Sequence, residues 1–343
     1  MSPDFITYLA DRLPMVEGYL EANLPTADDT AAEASDLSSY LFDPLARFVR
    51  GGGKRIRPVL CLLGAEACGS DPKAALPIAY SLELFQAVAL IHDDIADKSE
   101  MRRGAPCLHI SEGTGLAINA GDTALVSLTA HIVRQKDMDP SLRLRLLDEI
   151  AEMEMRTLEG QALDLGWARD GRWDITAKDY LTMARLKTAY YSASCPLALG
   201  ALCAGASEEV VSGLKAFGLD AGLAFQIQDD LLNLVGDADA QGKDFRSDIT
   251  EGKRTLVMVW ALEHLEGEER GELAGILASA ATEEARLARA VELAEAAGAI
   301  DHARDYAQEL ANHAKEGLGR LHIETCAREV LRSMADFFVE RAK

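Results

Sequence analysis

The feature that most constrains the fold of this chain is a set of long segments whose apolar residues recur with a period near 3.6. Residues 75–97 and 186–236 are too apolar for surface helices, so we expect them to form helices buried on nearly all sides. Residues 58–68 and 144–168 show the helical period as well. No stretch alternates apolar and polar residues between turn signals, so no central sheet is expected. The sequence therefore predicts an all-α protein, a large bundle of buried antiparallel helices.

The domain organisation follows from the absence of an internal linker. Residues 265–300 carry charge on one face and Ala and Leu on the other, as outer helices do. No Pro-, Gly- or Ser-rich stretch separates them from the apolar helices. We therefore expect one domain over residues 1–343, with an outer helix and polar loop at 1–40 and outer helices at 265–343. The most mobile loops are expected at residues 25–38 and 236–252.

The charge balance limits the possible partners. The chain has 56 acidic and 35 basic residues and a formal net charge of −21, which disfavours nucleic acid and anionic membranes as bulk partners. A local basic pocket for a phosphorylated ligand remains compatible with this charge.

The cellular compartment is predicted from cysteines and the N-terminal sequence. The six cysteines contain no CxxC pair and lie mostly in apolar helical context, which is typical of reduced, buried thiols. The first residues lack the apolar core of a signal peptide, and no uninterrupted apolar run reaches about 18 residues. We expect a cytoplasmic protein without stable membrane insertion.

Residues 90–104, LIHDDIADKSEMRRG, place three aspartates at the end of an apolar helical segment. Asp93 and Asp97 fall on one helix face a turn apart, with Asp94 about 100° round the helix. Like charges at this spacing destabilise an isolated helix by about 0.2–0.5 kcal/mol. A sequence that keeps them despite this cost favours a functional role for the carboxylates. Carboxylates of this kind suit Mg2+ that bridges to substrate phosphates. The alternative is a fortuitous acidic helix end; the polar pair Asp28-Asp29 is typical of a solvated surface.

A second acidic motif repeats this design. FQIQDDLLN, residues 225–233, is an apolar helical stretch that ends in Asp229 and Asp230, with Asn233 four residues after Asp229. Metal sites in helix bundles are built from side chains on facing helices. If the two motifs face each other, they would hold a metal–diphosphate group between them.

Cationic residues accompany both acidic motifs. GGGKRIRP, residues 51–58, combines a glycine turn with Lys54 and Arg57; glycine allows close backbone approach, and arginine offers a bidentate fork to phosphate. On its own this string could equally be a basic surface turn. Further cations follow or flank the acidic motifs: Arg102, Arg103, Lys187, Lys243 and Lys253. Their number in so acidic a chain favours a polyanionic ligand.

Six motifs, in this order, resemble those of the trans-polyprenyl diphosphate synthase family: GGGKRIRP, LIHDDIADKSEMRRG, EGQALD, KTAYY, FQIQDDLLN and GKDFRSDITEGKRT. The resemblance covers essentially the whole chain. It implies the isoprenoid synthase fold with a central active-site cavity. It also implies a prenyltransferase that condenses isopentenyl diphosphate head-to-tail with an allylic diphosphate, most like a geranylgeranyl- or farnesyl-type short-chain synthase. A homodimer is expected by analogy.

The resemblance also implies the site residues. Three Mg2+ ions, for which Mn2+ can substitute, would be held by Asp93, Asp94, Asp97, Asp229 and Asp230. The isopentenyl diphosphate pocket would consist of Lys54, Arg57, Gln86 and Arg103. The allylic diphosphate would be bound by Arg102, Lys187, Lys243 and Lys253. Thr188 and Gln226 would lie near the reacting carbons. The residues implied in catalysis are Asp93, Asp94, Lys187, Thr188, Gln226 and Asp229. Gln161 and Asp164 resemble the family's GQxxD.

Two positions depart from the family pattern. Gln86 stands where many members have His, and its amide can still donate to phosphate. Asn233 replaces the third aspartate of the second motif, which questions direct metal ligation at this position. His92 is expected to be structural rather than a base, and the proton lost in the reaction should go to the bound pyrophosphate.

The product length is expected to depend on the helix before Asp93. Small Ala89 and modest Val88 would let a farnesyl chain pass, and Phe85, about two turns below Asp93, would form the floor. The expected product is geranylgeranyl diphosphate, with farnesyl and longer polyprenyl diphosphates as alternatives.

Two other functions are alternatives to a prenyl diphosphate synthase. A terpene cyclase would have an Asn/Ser/Glu metal triad in place of the second aspartate motif and would lack the GGGKR site. A catalytically silent subunit would be expected to lose one acidic motif, and this sequence retains both.

Overall fold

The computed structural model describes residues 3–28, 30–236, 245–279 and 281–341. These ranges are almost wholly helical, which confirms the all-α prediction. The longer helices are α1 (Phe5–Asn23), α3 (Asp43–Arg50), α4 (Ile56–Ala67), α5 (Leu76–Ala96), α7 (Thr114–Val133), α8 (Pro140–Arg169), α9 (Ala177–Ala184), α10 (Cys195–Cys203), α11 (Glu208–Val235), α13 (Leu256–His264), α14 (Gly267–Ala278), α15 (Glu284–Ala296), α16 (Ala299–Leu318) and α17 (Thr325–Glu340). The single-turn helices are α2 (Ala34–Leu37), α6 (Leu108–Ser111) and α12 (Ser247–Thr250).

Three further stretches have non-α helical geometry. Pro72–Ala75 forms a 3-10 turn before α5, and Ser38–Phe42 and Arg185–Ser194 are π-helical. The predicted loop at 25–38 is therefore shorter than expected, because its last residues belong to α2 and to the π-helical Ser38–Phe42.

The chain divides into two compact units. The C-terminal unit comprises Met1–Phe5, Ile150–Cys195 and Ser207–Lys343, and the N-terminal unit comprises Ile6–Glu149 and Pro196–Ala206. The expectation of a single domain stays a prediction.

In the N-terminal unit, α5 packs against α4 and α7. Its apolar residues from Leu76 to Ile91 are almost all buried, as the composition predicts. α4 lies close to the chain at Pro196–Ala206, where glycines take the place of side chains: a Cβ on Gly200 would lie 1.9 Å from the carbonyl oxygen of Cys61. α4 and the segment Pro196–Ala206 therefore pack backbone against backbone.

A small hairpin follows α5. The strands β1 (Met101–Arg102) and β2 (Ala105–Pro106) pair antiparallel across a turn in which Arg103 and Gly104 have φ values of 53° and 78°. Positive φ at both central residues is the requirement of a tight two-residue hairpin. The sequence analysis did not predict this hairpin, because two-residue strands are too short to show alternation.

In the C-terminal unit, α11 packs against the π-helical stretch Arg185–Ser194 and against α16. α11 begins at Ser207, whose hydroxyl caps the Val210 N–H, and two glutamates follow in its first turn. Gly218 and Gly222 face the backbone of Ser194 and Ala189, so that α11 approaches the π-helical stretch closely. Thr188 on the π-helical stretch and Gln226 on α11 therefore lie on two helical segments of the same unit that pack against each other.

Among the residues that the structure describes, three helical segments are long and apolar enough to cross a membrane by length and mean hydropathy alone: Pro72–Ala96, Thr114–Val133 and Glu208–Val235. None of them contains an uninterrupted apolar run of about 18 residues. Pro72–Ala96 is largely buried within the protein, whereas Thr114–Val133 is only 33% buried. The expectation of no stable membrane insertion stays a prediction.

Candidate active site

The first aspartate motif lies at the end of α5. Asp93 belongs to the last turn, and Asp97 follows the helix with a helical backbone conformation, so the two are one turn apart as predicted. The side chain of Asp94 is only 1% exposed. Its Oδ1 accepts a hydrogen bond from Nε of Arg102 at 2.7 Å and lies 2.6 Å from Nη2 of the same guanidinium, whereas its buried Oδ2 has no hydrogen-bond partner in the described part of the chain.

Arg102 is placed at Asp94 by the hairpin that follows α5. Burial disfavours the charged guanidinium, but the hydrogen bond and charge of Asp94 outweigh it and raise the pKa of Arg102. Arg102 thus stays charged beside the acidic motif, where it can neutralise a phosphate or a carboxylate.

The glycine turn and the hairpin form a basic cluster in the N-terminal unit. Nη1 of Arg103 donates to the carbonyl oxygen of Gly52, and a Cβ on Gly53 would lie 2.8 Å from Nη2 of Arg103. Gly52 and Gly53 have φ values of 93° and 140°, which disfavour other residues. Arg103 therefore lies over the turn that precedes Lys54 and Arg57.

Arg55 is the buried anchor of this turn, and the sequence analysis assigned it no role. It adopts φ 48°, its side chain is 2% exposed, and it forms ion pairs with Glu17 at 2.8 Å and Glu83 at 2.6 Å. Burial raises the pKa of Glu83, while the charges of Arg55, Arg57 and Arg103 act to lower it. Arg55 therefore holds the turn in place, so that its neighbours can serve a ligand.

Gln86 lies one turn from Glu83 on α5 and is buried. Its Oε1 is buried without a hydrogen-bond partner in the described ranges. A buried amide with unused capacity is compatible with the predicted ligand contact. The predicted chain-length residues lie on the same helix: Phe85 and Val88 are buried and Ala89 is partly buried.

The second aspartate motif lies in the last two turns of α11. The side chain of Asp229 is 57% exposed, and its Oδ1 accepts a hydrogen bond from Nη2 of Arg341 at 2.8 Å. Asp230 is buried; it accepts hydrogen bonds from the Tyr180 hydroxyl at 2.6 Å and from Nε2 of Gln226 at 2.7 Å. The two adjacent aspartates therefore have different environments.

Burial raises the pKa of Asp230 to about 8, and the nearby charge of Asp248 adds to this shift. Burial also raises the pKa of Asp248, which the positive charge of Lys253 opposes. Nζ of Lys253 lies 3.3 Å from Oδ1 of Asp248 and 2.6 Å from Glu251. Lys253 thus balances the charge of Asp248 and Glu251, while burial favours the protonated form of Asp230.

Lys187 and Thr188 lie in the π-helical stretch that faces α11. Nζ of Lys187 forms an ion pair with Asp164 at 2.5 Å, which connects the predicted GQxxD residue to the predicted diphosphate ligand. Gly160 permits this pairing, because a Cβ there would lie 2.2 Å from the backbone nitrogen of Lys187. π-helical turns occur frequently at functional sites.

The carboxylates of the two motifs are candidate ligands for a divalent cation. In the described ranges, no group of three or more His, Cys, Asp or Glu side chains is close enough to hold a metal ion. Mg2+ is commonly bound by one or two carboxylates plus waters and substrate phosphates, and so does not require such a group. The unpartnered Oδ2 of Asp94 and the exposed carboxylate of Asp229 fit this mode of binding.

Comparison with known proteins decides the family. The polyprenyl synthetase family model matches residues 38–294, three quarters of the chain. The chain belongs to the polyprenyl synthetase family. Members of this family are prenyltransferases, so the chain is an enzyme, and the resemblance stated from the motifs is confirmed.

Polyprenyl synthetases from archaea are among the similar proteins. A short chain isoprenyl diphosphate synthase of Methanothermobacter thermautotrophicus is 40% identical over 92% of this chain and 95% of its own length. A geranylfarnesyl diphosphate synthase of Natronomonas pharaonis is 35% identical over 97% of both chains. Both relatives support the short-chain type.

Solved structures of polyprenyl synthetases share this fold. Geranylgeranyl pyrophosphate synthetase of Pyrococcus horikoshii superposes with a TM-score of 0.88, at 29% identity and 98% coverage of both chains. Geranylgeranyl pyrophosphate synthase of Corynebacterium glutamicum, complexed with isoprenyl diphosphate and magnesium, superposes at 0.86, with 30% identity, 99% coverage of this chain and 100% coverage of its own.

The structure places the predicted site residues in two groups. The N-terminal unit contains Lys54, Phe85, Gln86, Val88, Ala89, Asp93, Asp94, Asp97, Arg57, Arg102 and Arg103, and the C-terminal unit contains Gln161, Asp164, Lys187, Thr188, Gln226, Asp229, Asp230 and Lys253. Lys243 and part of the predicted loop 236–252 lie outside the described residues. The convergence of the two acidic motifs stays a prediction, as do the individual roles.

Several residues of the site were missed by sequence reasoning. Tyr180 and Arg341 contact the second motif from distant parts of the chain, and no local signal reveals such contacts. Asp248 could have been found, because it lies between Lys243 and Lys253 in GKDFRSDITEGKRT.

Proposed function

We propose that this enzyme condenses isopentenyl diphosphate head-to-tail with an allylic diphosphate and that its main product is geranylgeranyl diphosphate. The observation that carries the proposal is that cations accompany both acidic motifs: Arg102 pairs with Asp94 in one unit, and in the other Arg341 pairs with Asp229 and Lys253 pairs with Asp248, whose charge acts on Asp230. Such pairs suit a ligand that carries both phosphates and divalent cations. The chain is similar along nearly all its length to synthases of this class.

The reaction breaks the C–O bond of the allylic diphosphate, and the electron pair leaves with the diphosphate. The π electrons of isopentenyl diphosphate then form the new C–C bond, and a proton passes from the condensed chain to the departed diphosphate. Asp93, Asp94, Asp97, Asp229 and Asp230 would hold Mg2+, which stabilises negative charge on the leaving group. Arg102, Lys187 and Lys253 would bind the same diphosphate, together with Lys243.

Residues of the C-terminal unit would stabilise the carbocation. Nε2 of Gln226 donates to Asp230, so the amide is fixed and its carbonyl oxygen is the end left for a developing positive charge. Thr188 is buried and supplies a hydroxyl oxygen on the π-helical stretch that packs against α11. Lys54, Arg57, Gln86 and Arg103 would hold isopentenyl diphosphate in the N-terminal unit.

Product analysis with three starters tests this function. Purified protein, Mg2+ and isopentenyl diphosphate are incubated separately with dimethylallyl, geranyl and farnesyl diphosphates, and chain lengths are measured. We expect all three starters to give the same C20 product. Failure to condense with any starter would contradict the proposal and would favour a catalytically silent subunit.

A C25 product is the second candidate, because relatives from Natronomonas pharaonis and Aeropyrum pernix are geranylfarnesyl diphosphate synthases, at 35% and 36% identity. The same assay separates the two lengths.

Truncation of Phe85 tests the origin of the product length. Phe85 lies eight residues before Asp93 on α5, about 12 Å along the helix, and is buried. We expect Phe85→Ala to lengthen the main product by at least one isoprene unit. Leu84→Ala is the control, since Leu84 is equally buried but lies about 100° round the helix. An unchanged length in Phe85→Ala would exclude Phe85 as the floor.

We also propose that the protein is a homodimer through α7 and α8. Large apolar side chains are exposed along both helices, although such residues are normally buried. These exposed residues are Ile118, Val126, Val133, Leu144, Met155, Leu158 and Leu165. A second copy of the chain would cover them.

A further inference from the structure

Asn233 stands where a third aspartate would complete the second acidic motif, and its contacts explain why this position carries Asn. Its Oδ1 accepts the backbone N–H of Asp248 at 3.2 Å, and its Nδ2 donates to the hydroxyl of Ser247 at 3.2 Å. Its backbone carbonyl accepts the N–H of Arg246 at 2.8 Å. One residue on α11 thus holds three consecutive residues of a distant segment.

The held segment has a conformation that needs such support. Arg246 has φ 61°, in the left-handed region that is unfavourable for a residue with a side chain. Its Nε also donates to the carbonyl oxygen of Leu234 at 3.4 Å, so the end of α11 supplies a further acceptor. α12 begins directly after this strained residue. The contacts to α11 therefore select one arrangement of the segment.

This arrangement determines where Asp248 and Lys253 lie. The N–H of Lys253 donates to the carbonyl oxygen of Asp248 at 2.8 Å, and its Nζ lies 3.3 Å from the carboxylate. Asp248 in turn is close enough to Asp229 and Asp230 for their charges to affect one another. The position of Lys253 relative to the second motif thus depends on Asp248, and the position of Asp248 depends on Asn233.

We propose that Asn233 is a positioning residue: it fixes the segment Arg246–Asp248 on α11 and thereby sets the position of Asp248 and of Lys253, which pairs with it. A backbone N–H can only donate, so the amide oxygen of Asn233 must face Asp248 and is engaged there. Asn provides this acceptor and a donor without adding a further negative charge to Asp229, Asp230 and Asp248. The role of Lys253 as a diphosphate ligand rests on the proposed function.

Hydrogen exchange in the metal-free full chain directly tests the contact between Asn233 and the segment Arg246–Asp248. We expect Asn233→Ala to speed exchange of the Asp248 amide by about tenfold, since it loses the acceptor of that N–H. Asn233→Asp retains an acceptor and should retain most of the protection. Asn312→Ala, an exposed asparagine on α16, is the matched control and should leave exchange at Asp248 unchanged. Unchanged exchange at Asp248 in Asn233→Ala would overturn the proposal. If the Ala variant folds poorly, Asn233→Asp serves as the test, and loss of protection at Asp248 in that variant would overturn the proposal.

Steady-state kinetics test the consequence for Lys253. We expect Asn233→Ala to raise KM for the allylic diphosphate by about tenfold and to leave KM for isopentenyl diphosphate within about twofold. Asn233→Asp should restore the allylic KM at least in part. Faster exchange with an unaltered allylic KM would overturn the positioning role. If the wild-type chain does not condense the substrates, the proposed function fails. The hydrogen-exchange measurement still decides whether Asn233 fixes the segment Arg246–Asp248.

Discussion

At the residue scale, the site depends on buried acids whose charge is balanced by specific partners. Asp94 has Arg102, Asp248 has Lys253, and Glu83 has Arg55. Removing one partner from such a pair leaves a buried charge, which costs more than the pair contributes. This explains why so acidic a chain keeps its cations close to its acidic motifs.

Glu154 on α8 is a half-buried acid for which the described ranges hold no such partner, and it gives a pH-dependent prediction. Its Oε1 is buried with no hydrogen-bond partner in the described part of the chain, and burial raises its pKa from 4.5 to about 7. The folded chain therefore binds this proton more tightly than the unfolded chain. Its contribution to the free energy of unfolding is complete below about pH 4.5 and is lost as the pH rises to about 7.

Glu154→Gln removes this titration. As the pH is raised from 5 to 8, the free energy of unfolding of the variant should increase relative to that of wild type by about 1–2 kcal/mol, after allowance for partial exposure. Urea unfolding at both pH values measures the difference. Glu159→Gln, an exposed change on the same helix, should show less than about 0.5 kcal/mol. A pH-independent difference for Glu154→Gln would contradict this account.

At the element scale, glycines set how closely helices approach one another. Gly160 on α8 lies against the backbone of Lys187, where a Cβ would be 2.2 Å from nitrogen, whereas Gly166 on the same helix has nothing within 4 Å of a Cβ. Gly160 therefore controls where the π-helical stretch, and with it Lys187, sits against α8.

Gly160→Ala and Gly166→Ala form a matched pair. We expect Gly160→Ala to destabilise the protein by about 1–3 kcal/mol and to raise KM for the allylic diphosphate, because the π-helical stretch must move. Gly166→Ala should be neutral or stabilising by about 0.5–1 kcal/mol, since alanine favours the helix. Thermal unfolding and initial-rate kinetics measure both effects. Equal behaviour of the two variants would show that the close contact at Gly160 has no consequence.

Much of the element content could be predicted from the sequence. The helix spanning Leu76–Ala96 follows from its apolar composition and from Pro77 at its start. The π-helical geometry at Arg185–Ser194 could not be predicted, because it depends on packing against α11 rather than on local propensity. The hairpin that carries Arg102 is likewise too short to leave a periodic signal.

For the site, the acids of the motifs could be predicted, and their partners could not. Asp94 and Asp230 are recognisable because they end apolar helices. Tyr180, 50 residues from Asp230, and Arg341, 112 residues from Asp229, are brought there by tertiary packing. Long-range hydrogen bonds of this kind have no sequence spacing from which to infer them.

At the scale of the whole molecule, the exposed apolar faces of α7 and α8 predict self-association. Val126 is 69% exposed and lies on α7. We expect Val126→Glu to convert a dimer into a monomer, because it places a charge in the apolar interface. Light scattering after size-exclusion chromatography measures the mass. Ile6→Glu, an exposed apolar position on α1, is the control and should remain dimeric. A monomeric wild type would contradict the proposed homodimer.

The proposed function requires both aspartate motifs in the same Mg2+-dependent step. The most direct test is the Mg2+-dependent condensation rate of Asp93→Asn, Asp229→Asn and the double variant, with Asp28→Asn as an exposed control. We expect each single change to lower kcat by about 100-fold or more and the double change to lower it little further, as for residues that act as a unit. Asp28→Asn should match wild type. Near-wild-type activity in either single variant, or losses that multiply in the double variant, would contradict the account.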